Sequence, residues 1–166
     1  MKYLSTEQLR ESLEKAATIN EKYYSVLLTL AKTGCRASEL VSITPNDINK
    51  DEKQIIVRGK GNKIRNVDVP ADLLIQLALY IKNKKIKANK PIFDLSIQRI
   101  TQITKRFTTL SAHAFRHTYA IHLLRTTKNI RYVQTQLGHS SLATTQIYLR
   151  FMDYKKEKQK LGEMYS

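Results

Sequence analysis

Residues 113–125, HAFRHTYAIHLLR, constrain the fold more than any other stretch of the chain. At 100° per residue, Ala114, Thr118, Ile121 and Leu124 form one apolar flank and Phe115, Tyr119 and Leu123 a second, so little of the helix circumference is left for water. A helix of this kind belongs in the middle of a domain, with other elements packed around it. Yet it carries His113, Arg116, His117 and His122. His113 and Arg116, three apart, share one narrow face, and small Ala120 leaves room beside them one turn later. Arginine keeps its proton, so a buried Arg116 needs an anion, either a carboxylate from elsewhere in the chain or a phosphate brought by a ligand.

A chain of 166 residues, 42% hydrophobic, is long enough for one domain with a real core. Lys and Arg number 29 against 14 Asp and Glu, a formal charge of +15 spread along the chain. Such an excess favours a polyanionic partner, nucleic acid first, over the plainer reading of a solvated basic surface. No run of about 18 apolar residues is present to span a bilayer, and the N-terminus lacks the pattern of a signal peptide, so the expected location is cytoplasmic. The single Cys35 excludes an internal disulfide and a cysteine-based zinc site.

The periodicities predict a helix over about 6–18 capped by Ser5, a second over about 21–33 ending at Gly34, and a short helix opened by Ser38 and Glu39 and stopped before Pro45, which leaves Arg36 at a junction. QIIVR and IRNVDV read as two strands of a hairpin joined by GKGNK, with Lys60 at the tip. Pro70 stops the second strand, ADLLIQLALYIKNKK makes an amphipathic helix, and another covers about 96–107. Beyond the central helix, Asn129 caps a segment that Gly138 ends, His139 follows, and Ser140 or Ser141 caps a last short helix that delivers Tyr148 nine residues after His139. The charged KKEKQK tail follows, framed by Phe151, Met152, Leu161 and Met164. The expected architecture is a single α+β domain over 1–166, mainly α with a small antiparallel β-sheet.

In order along the chain, TGCRASEL, GKGNK, HAFRHTYAIHLL and LGHSSLATTQIY resemble the corresponding segments of the tyrosine recombinases, the phage integrases and Xer-type recombinases. The resemblance runs from about residue 4 to 150. It implies the catalytic-core fold of that family and a site-specific DNA recombinase or integrase that cuts and rejoins strands through a 3′-phosphotyrosyl intermediate. Carried over residue by residue, Arg36 and Arg116 grip the scissile phosphate, each guanidinium able to donate paired hydrogen bonds. Tyr148 is the nucleophile, Lys60 protonates the departing 5′ oxygen, and His139 hydrogen-bonds the phosphate. His113 is the candidate base, because a phenol of pKa about 10 must shed its proton as it attacks; neighbouring arginines are expected to lower that pKa. Fixed guanidinium charge supplies what a metal otherwise would, so no metal or other cofactor is expected. The implied partners are double-stranded DNA and, on synapsed DNA, three further copies in a homo-tetramer.

Other readings of single residues compete. Lys63 shares the hairpin with Lys60, and motif position favours Lys60. His117 and His122 read as packing or capping residues. His113 and His117 have the i, i+4 spacing of a metal pair, but no HExxH glutamate accompanies them, which argues against zinc. Tyr154 and Tyr165 follow the LGH motif without the family spacing, and GKGNK lacks the Lys-Ser/Thr of a phosphate loop. Most family members carry an N-terminal core-binding domain, here expected to be absent, whether by excision or in a naturally minimal enzyme. TTLSAH is short for its place, and RTTKN replaces a glycine-containing turn. In the family the segment after the nucleophile packs on a neighbouring protomer, the expectation here for residues 151–166. Two further classes fit the same fold: a DNA-binding accessory module without productive recombination, and a type IB topoisomerase-like relaxing enzyme. Retention of all six candidate residues favours strand transfer.

Overall fold

In the computed structural model, which describes residues 1–164, capping chemistry marks most helix boundaries. Helix α1 (Thr6–Ile19) opens on Ser5: its hydroxyl accepts from the Gln8 N–H while the Gln8 side chain accepts from the Ser5 N–H. Asn20 ends α1 and caps α2 (Glu21–Thr33), accepting from the Lys22 and Tyr23 N–H groups. Helix α2 is buried from Ser25 to Ala31 and packs against α1, α4 and α6. Its interior hydroxyls, Thr29 and Thr33, donate to carbonyls four residues back, which satisfies them away from water. Helix α3 (Ala37–Leu40) starts with Arg36 at its N-cap, one residue earlier than the Ser38–Glu39 start expected.

Three antiparallel strands, ordered β1-β2-β3, replace the expected two-stranded hairpin. β1 (Ile48–Asn49) is only two residues long, too short to show a period of two. β2 (Gln54–Arg58) pairs with β3 (Ile64–Asp68) in a register that sets Ile55 opposite Val67 and Val57 opposite Arg65. Ile55, Val57 and Val67 face the core; Arg65 shares the inward face of β3 with Val67. The connecting turn, with 3-10 geometry over Lys60–Asn62, closes through the Gly59 N–H donating to the Lys63 carbonyl.

Helices α4 (Ala71–Lys84), α5 (Ile97–Thr108), α6 (Ala112–Thr127), α7 (Ile130–Leu137) and α8 (Leu142–Gln146) follow close to the expected positions, with Ser96, Asn129 and Ser141 as side-chain caps of α5, α7 and α8. A 3-10 turn over Ile147–Phe151 carries Tyr148. Helix α9 (Lys155–Met164) buries no side chain, and its Leu161 and Met164 are exposed; Tyr165, the other tyrosine noted after the LGH motif besides Tyr154, lies outside the described residues.

Helix α6 joins two cores. Its N-terminal half gives Ala112 and Phe115 to the larger one, built on α2, the sheet and α4; its C-terminal half gives Tyr119, Ala120, Ile121 and Leu124 to a smaller one with Val133, Leu137 and Tyr148. The division runs along the helix instead of between its two flanks. Each fully buried large side chain here contributes about 1.5–3 kcal/mol. The Leu4 N–H donates to Thr118 Oγ1 at 2.8 Å, tying the N-terminal segment to α6 as well. No helix among the described residues is long and apolar enough to cross a membrane.

Candidate active site

Arg116 is buried, at 2% exposure, and its partners are backbone carbonyls: Nη1 donates to Gly34 O at 2.9 Å and Nη2 to Leu137 O at 2.7 Å. No ion pair to it is formed among the described residues, so two carbonyls fix the guanidinium without neutralising it. Burial, then the Arg36 charge, pulls its pKa down to about 10, which still leaves it cationic near neutral pH. The charge in this core helix is thus a cation fixed by two carbonyls, with Glu39 as the carboxylate whose charge acts on it.

Gly34 sets up both arginines. It ends α2 at φ 62°, and a Cβ on it would lie 2.3 Å from Tyr119 Cδ1, so only glycine fits. The chain turns there, presents the Gly34 carbonyl to Arg116, and two residues later places Arg36 at the start of α3. The Arg36 N–H and Nη1 both donate to Glu39, at 2.8 and 3.1 Å, while its side chain stays 43% exposed.

Arg65, not singled out in the sequence, and Glu39, read there only as opening a short helix, form the buried frame behind this arginine. Arg65 Nη1 and Nη2 donate in parallel to the two Glu39 oxygens, both at 2.9 Å, and Arg65 Nε donates to Gln136 O at 2.8 Å. One side chain therefore links β3, α3 and α7. Gly138, at φ 69°, lies over it, with the position of a Cβ only 2.9 Å from Arg65 Cδ, which explains the glycine before His139. The signal that could have shown Arg65 was its place in β3, an arginine on the inward alternation where Val67 and Val69 continue the core.

His139 is oriented by Thr145, Nδ1 to Oγ1 at 2.8 Å. Burial and then the charges of Arg116, Arg36 and Arg65 press its pKa down to about 4. His113, exposed at the start of α6, is lowered by burial and then by Arg116 and Arg36. Tyr148 is 2% exposed; burial raises its pKa, and the opposing pull of Arg116 and Arg36 does not cancel that rise, contrary to the expected net lowering. The same two arginines thus act on His113, His139 and Tyr148, and the structure brings these five residues into one electrostatic neighbourhood.

An open cleft of about 1360 Å³ adjoins them. Arg36, Arg58, Lys60, Lys63, Arg65 and His139 line it, with Glu39 as the one carboxylate among the lining residues. Lys60 and Lys63 both stand on its wall and are exposed, so position alone does not choose between them. Among the described residues no group of three or more His, Cys, Asp or Glu is placed to hold a metal ion.

His117 corrects an expectation. Rather than packing or capping, its Nδ1 lies 2.8 Å from the Tyr148 hydroxyl. His113 stacks edge-on against it, ring centroids 4.6 Å apart. The phenol of Tyr148 therefore meets the histidine one turn beyond His113.

Comparison with known proteins places the chain in a family. Residues 2–154 match the phage integrase family model. Tyrosine recombinase XerC of Corynebacterium glutamicum is 34% identical over 165 residues, covering 89% of this chain and 54% of its own length. Tyrosine recombinase XerA of Thermococcus kodakarensis is 30% identical over 163 residues, covering 90% of this chain and 58% of its own. Among solved structures, a XerA recombinase superposes with a TM-score of 0.81 at 27% identity, over 99% of this chain and 64% of that one. XerH bound to its difH substrate gives a TM-score of 0.82 at 22% identity, over 99% and 53%, a likeness of fold. The chain spans a little over half the length of the curated relatives it matches. On its motifs, its fold and these similarities, the chain belongs to the phage integrase family, as a Xer-like tyrosine recombinase catalytic domain.

Proposed function

We propose that this domain cuts and rejoins duplex DNA at specific sites, with Tyr148 forming a 3′-phosphotyrosyl bond. The observation that carries the reading is Arg116, buried, cationic and held by carbonyls instead of a carboxylate, beside a second arginine and a buried tyrosine. A scissile phosphate is the anion that Arg36 and Arg116 bridge. The Tyr148 oxygen attacks phosphorus, the P–O5′ bond breaks, and the 5′ oxygen takes a proton from Lys60 on the hairpin turn. His139, oriented by Thr145, faces the phosphate with its remaining nitrogen. His113 is the acceptor for the phenolic proton; binding of the anionic phosphate offsets the arginine charges that hold its pKa down, which makes it a stronger base when substrate is present. Two guanidinium groups stabilise the charge that grows on the non-bridging oxygens, so the chemistry is proposed to proceed without a metal.

Full recombination requires a synapse, proposed here as a homo-tetramer on DNA. Helix α9, with no buried side chain of its own, is the segment proposed to dock on the neighbouring copy. The protein acts wherever its DNA resides.

The test is incubation with a nicked suicide duplex built on the sequence that the chain selects from a randomised pool, in EDTA. The expected result is a covalent adduct that peptide mapping places on Tyr148. An adduct on Tyr154, a strict magnesium requirement, or binding without any adduct would overturn the reading, the last in favour of an accessory DNA-binding module. Relaxation of supercoiled DNA without strand exchange would favour a topoisomerase.

A further inference from the structure

Tyr148 is held at both ends of its turn. Its hydroxyl meets His117 Nδ1 at 2.8 Å, and three residues on, the Phe151 carbonyl accepts from Arg125 Nε at 3.0 Å. Both partners belong to α6, which also carries His113 and Arg116. The ring of Tyr148 packs in the smaller core with Leu124, Val133 and Leu137. A buried phenol needs a partner for its hydroxyl, and in this core an imidazole provides it.

We propose that His117 is a positioning residue for the nucleophile: its Nδ1 accepts the Tyr148 O–H and holds the phenolic oxygen on the active-site helix, one turn from His113. The proposal rests on the phosphotyrosyl reading of Tyr148. Three observations support holding over proton removal. Burial, then the positive surroundings of His113, the chain's N-terminal amine and Arg116, press the His117 pKa down to about 4, so the ring is neutral near pH 7. Burial lifts Tyr148 above its ordinary value, so the phenol keeps its proton. Transfer between such a pair is steeply uphill, which leaves a neutral O–H···N bond. Finally, the His113 ring stands edge-on to His117 at 4.6 Å, and His117 is 5.8 Å from the Tyr148 ring, centroid to centroid. His117 thus stands between the base and the phenol, in ring contact with His113 and hydrogen-bonded to Tyr148.

The experiment uses the 166-residue chain and two independent readouts. Long-range 1H–15N NMR of histidine-labelled protein is expected to show His117 Nδ1 unprotonated, with a signal that moves in Tyr148→Phe. Single-turnover adduct formation on the selected nicked duplex is expected to slow by about tenfold or more in His117→Ala, as loss of alignment does, with DNA affinity within about twofold of wild type. His117→Asn, whose Oδ1 takes the place of Nδ1, is expected to recover most of the rate, and the pH profile to keep its shape. An unchanged rate in His117→Ala overturns the proposal. So does an Asn variant as slow as Ala, which would make His117 a proton carrier, or an Nδ1 signal indifferent to Tyr148→Phe. Wild-type protein that shows the NMR signature but forms no adduct removes the phosphotyrosyl reading itself, and the proposal with it.

Discussion

Replacing Glu39 by alanine removes the carboxylate that holds two arginines at once, and its cost can be worked from their surroundings. The Glu39 side chain is 3% exposed and Arg65 10%, whereas Arg36 is 43% exposed. Deleting one partner of a buried ion pair costs about 3–5 kcal/mol. Arg65 keeps its Nε bond to Gln136 O and some contact with water, which puts the expected loss at the low end, about 3 kcal/mol. The solvated Arg36 contact adds less than about 1 kcal/mol. With an unfolding entropy of about 2.1 cal/mol/K per residue, a chain of 166 residues has about 0.35 kcal/mol/K, so the midpoint should fall by about 9 °C. Differential scanning calorimetry at pH 7 and fixed salt measures this directly. The pH dependence gives a second check. Burial pushes the Glu39 carboxyl up, but hydrogen bonds from Arg65 and the Arg36 backbone, and the charges of Arg65 and Arg116, outweigh it and hold the pKa below the ordinary 4.5. A depressed carboxylate contributes its stability above the unfolded pKa and loses it as pH falls through the folded one. The gap between wild type and Glu39→Ala should therefore narrow below about pH 4.5. A midpoint shift under about 2 °C, or a gap unchanged at pH 3.5, would refute the frame assigned to Glu39.

Three further outcomes are expected. Gly34→Ala should destabilise the chain by more than the roughly 1–2 kcal/mol of a left-handed backbone alone, because its Cβ also meets the Tyr119 ring; urea denaturation reads the loss. Lys60→Ala should slow cleavage by about 10²-fold or more on ordinary DNA and recover on a 5′-bridging phosphorothiolate, whose sulfur leaves without a proton; rescue of Lys63→Ala instead would exchange the two roles. His139, neutral in the fold with a pKa near 4, takes up its proton in the unfolded chain near pH 6.5, so stability should decline as pH falls from about 6.5 toward 4, and His139→Gln should flatten the drop in urea midpoint between pH 7 and 5.

Much of this fold could be read from local chemistry because local chemistry produces it. Ser5, Asn129, Gly34 and Gly138 cap helices through contacts within a few residues, and the apolar circumference of α6 shows in thirteen consecutive letters. Where the signal was weak, the physical reason is visible. Helices α4, α5 and α6 end on Lys85, Thr109 and Lys128 in left-handed geometry, positions where glycine would have marked the stop. The frame behind the site joins residues 26 and 71 apart, Arg65 to Glu39 and to Gln136, a pairing that no periodicity encodes. His117 reads as a packing or capping residue in the sequence because its partner stands 31 residues on, in a turn whose path only the tertiary fold decides.

The hold on Arg116 has a consequence for how such a chain comes into being. One of its two carbonyls lies 82 residues behind it and the other 21 ahead. During synthesis the first helices can form while the guanidinium still lacks its second tether, and only when Leu137 has left the ribosome can the clamp take shape. On the proposed function, the attraction of a growing chain for nucleic acid is general and electrostatic until that point. On the same reading, the fixed grip on a phosphate therefore matures late, after Leu137 has been made, and strand cutting waits on it.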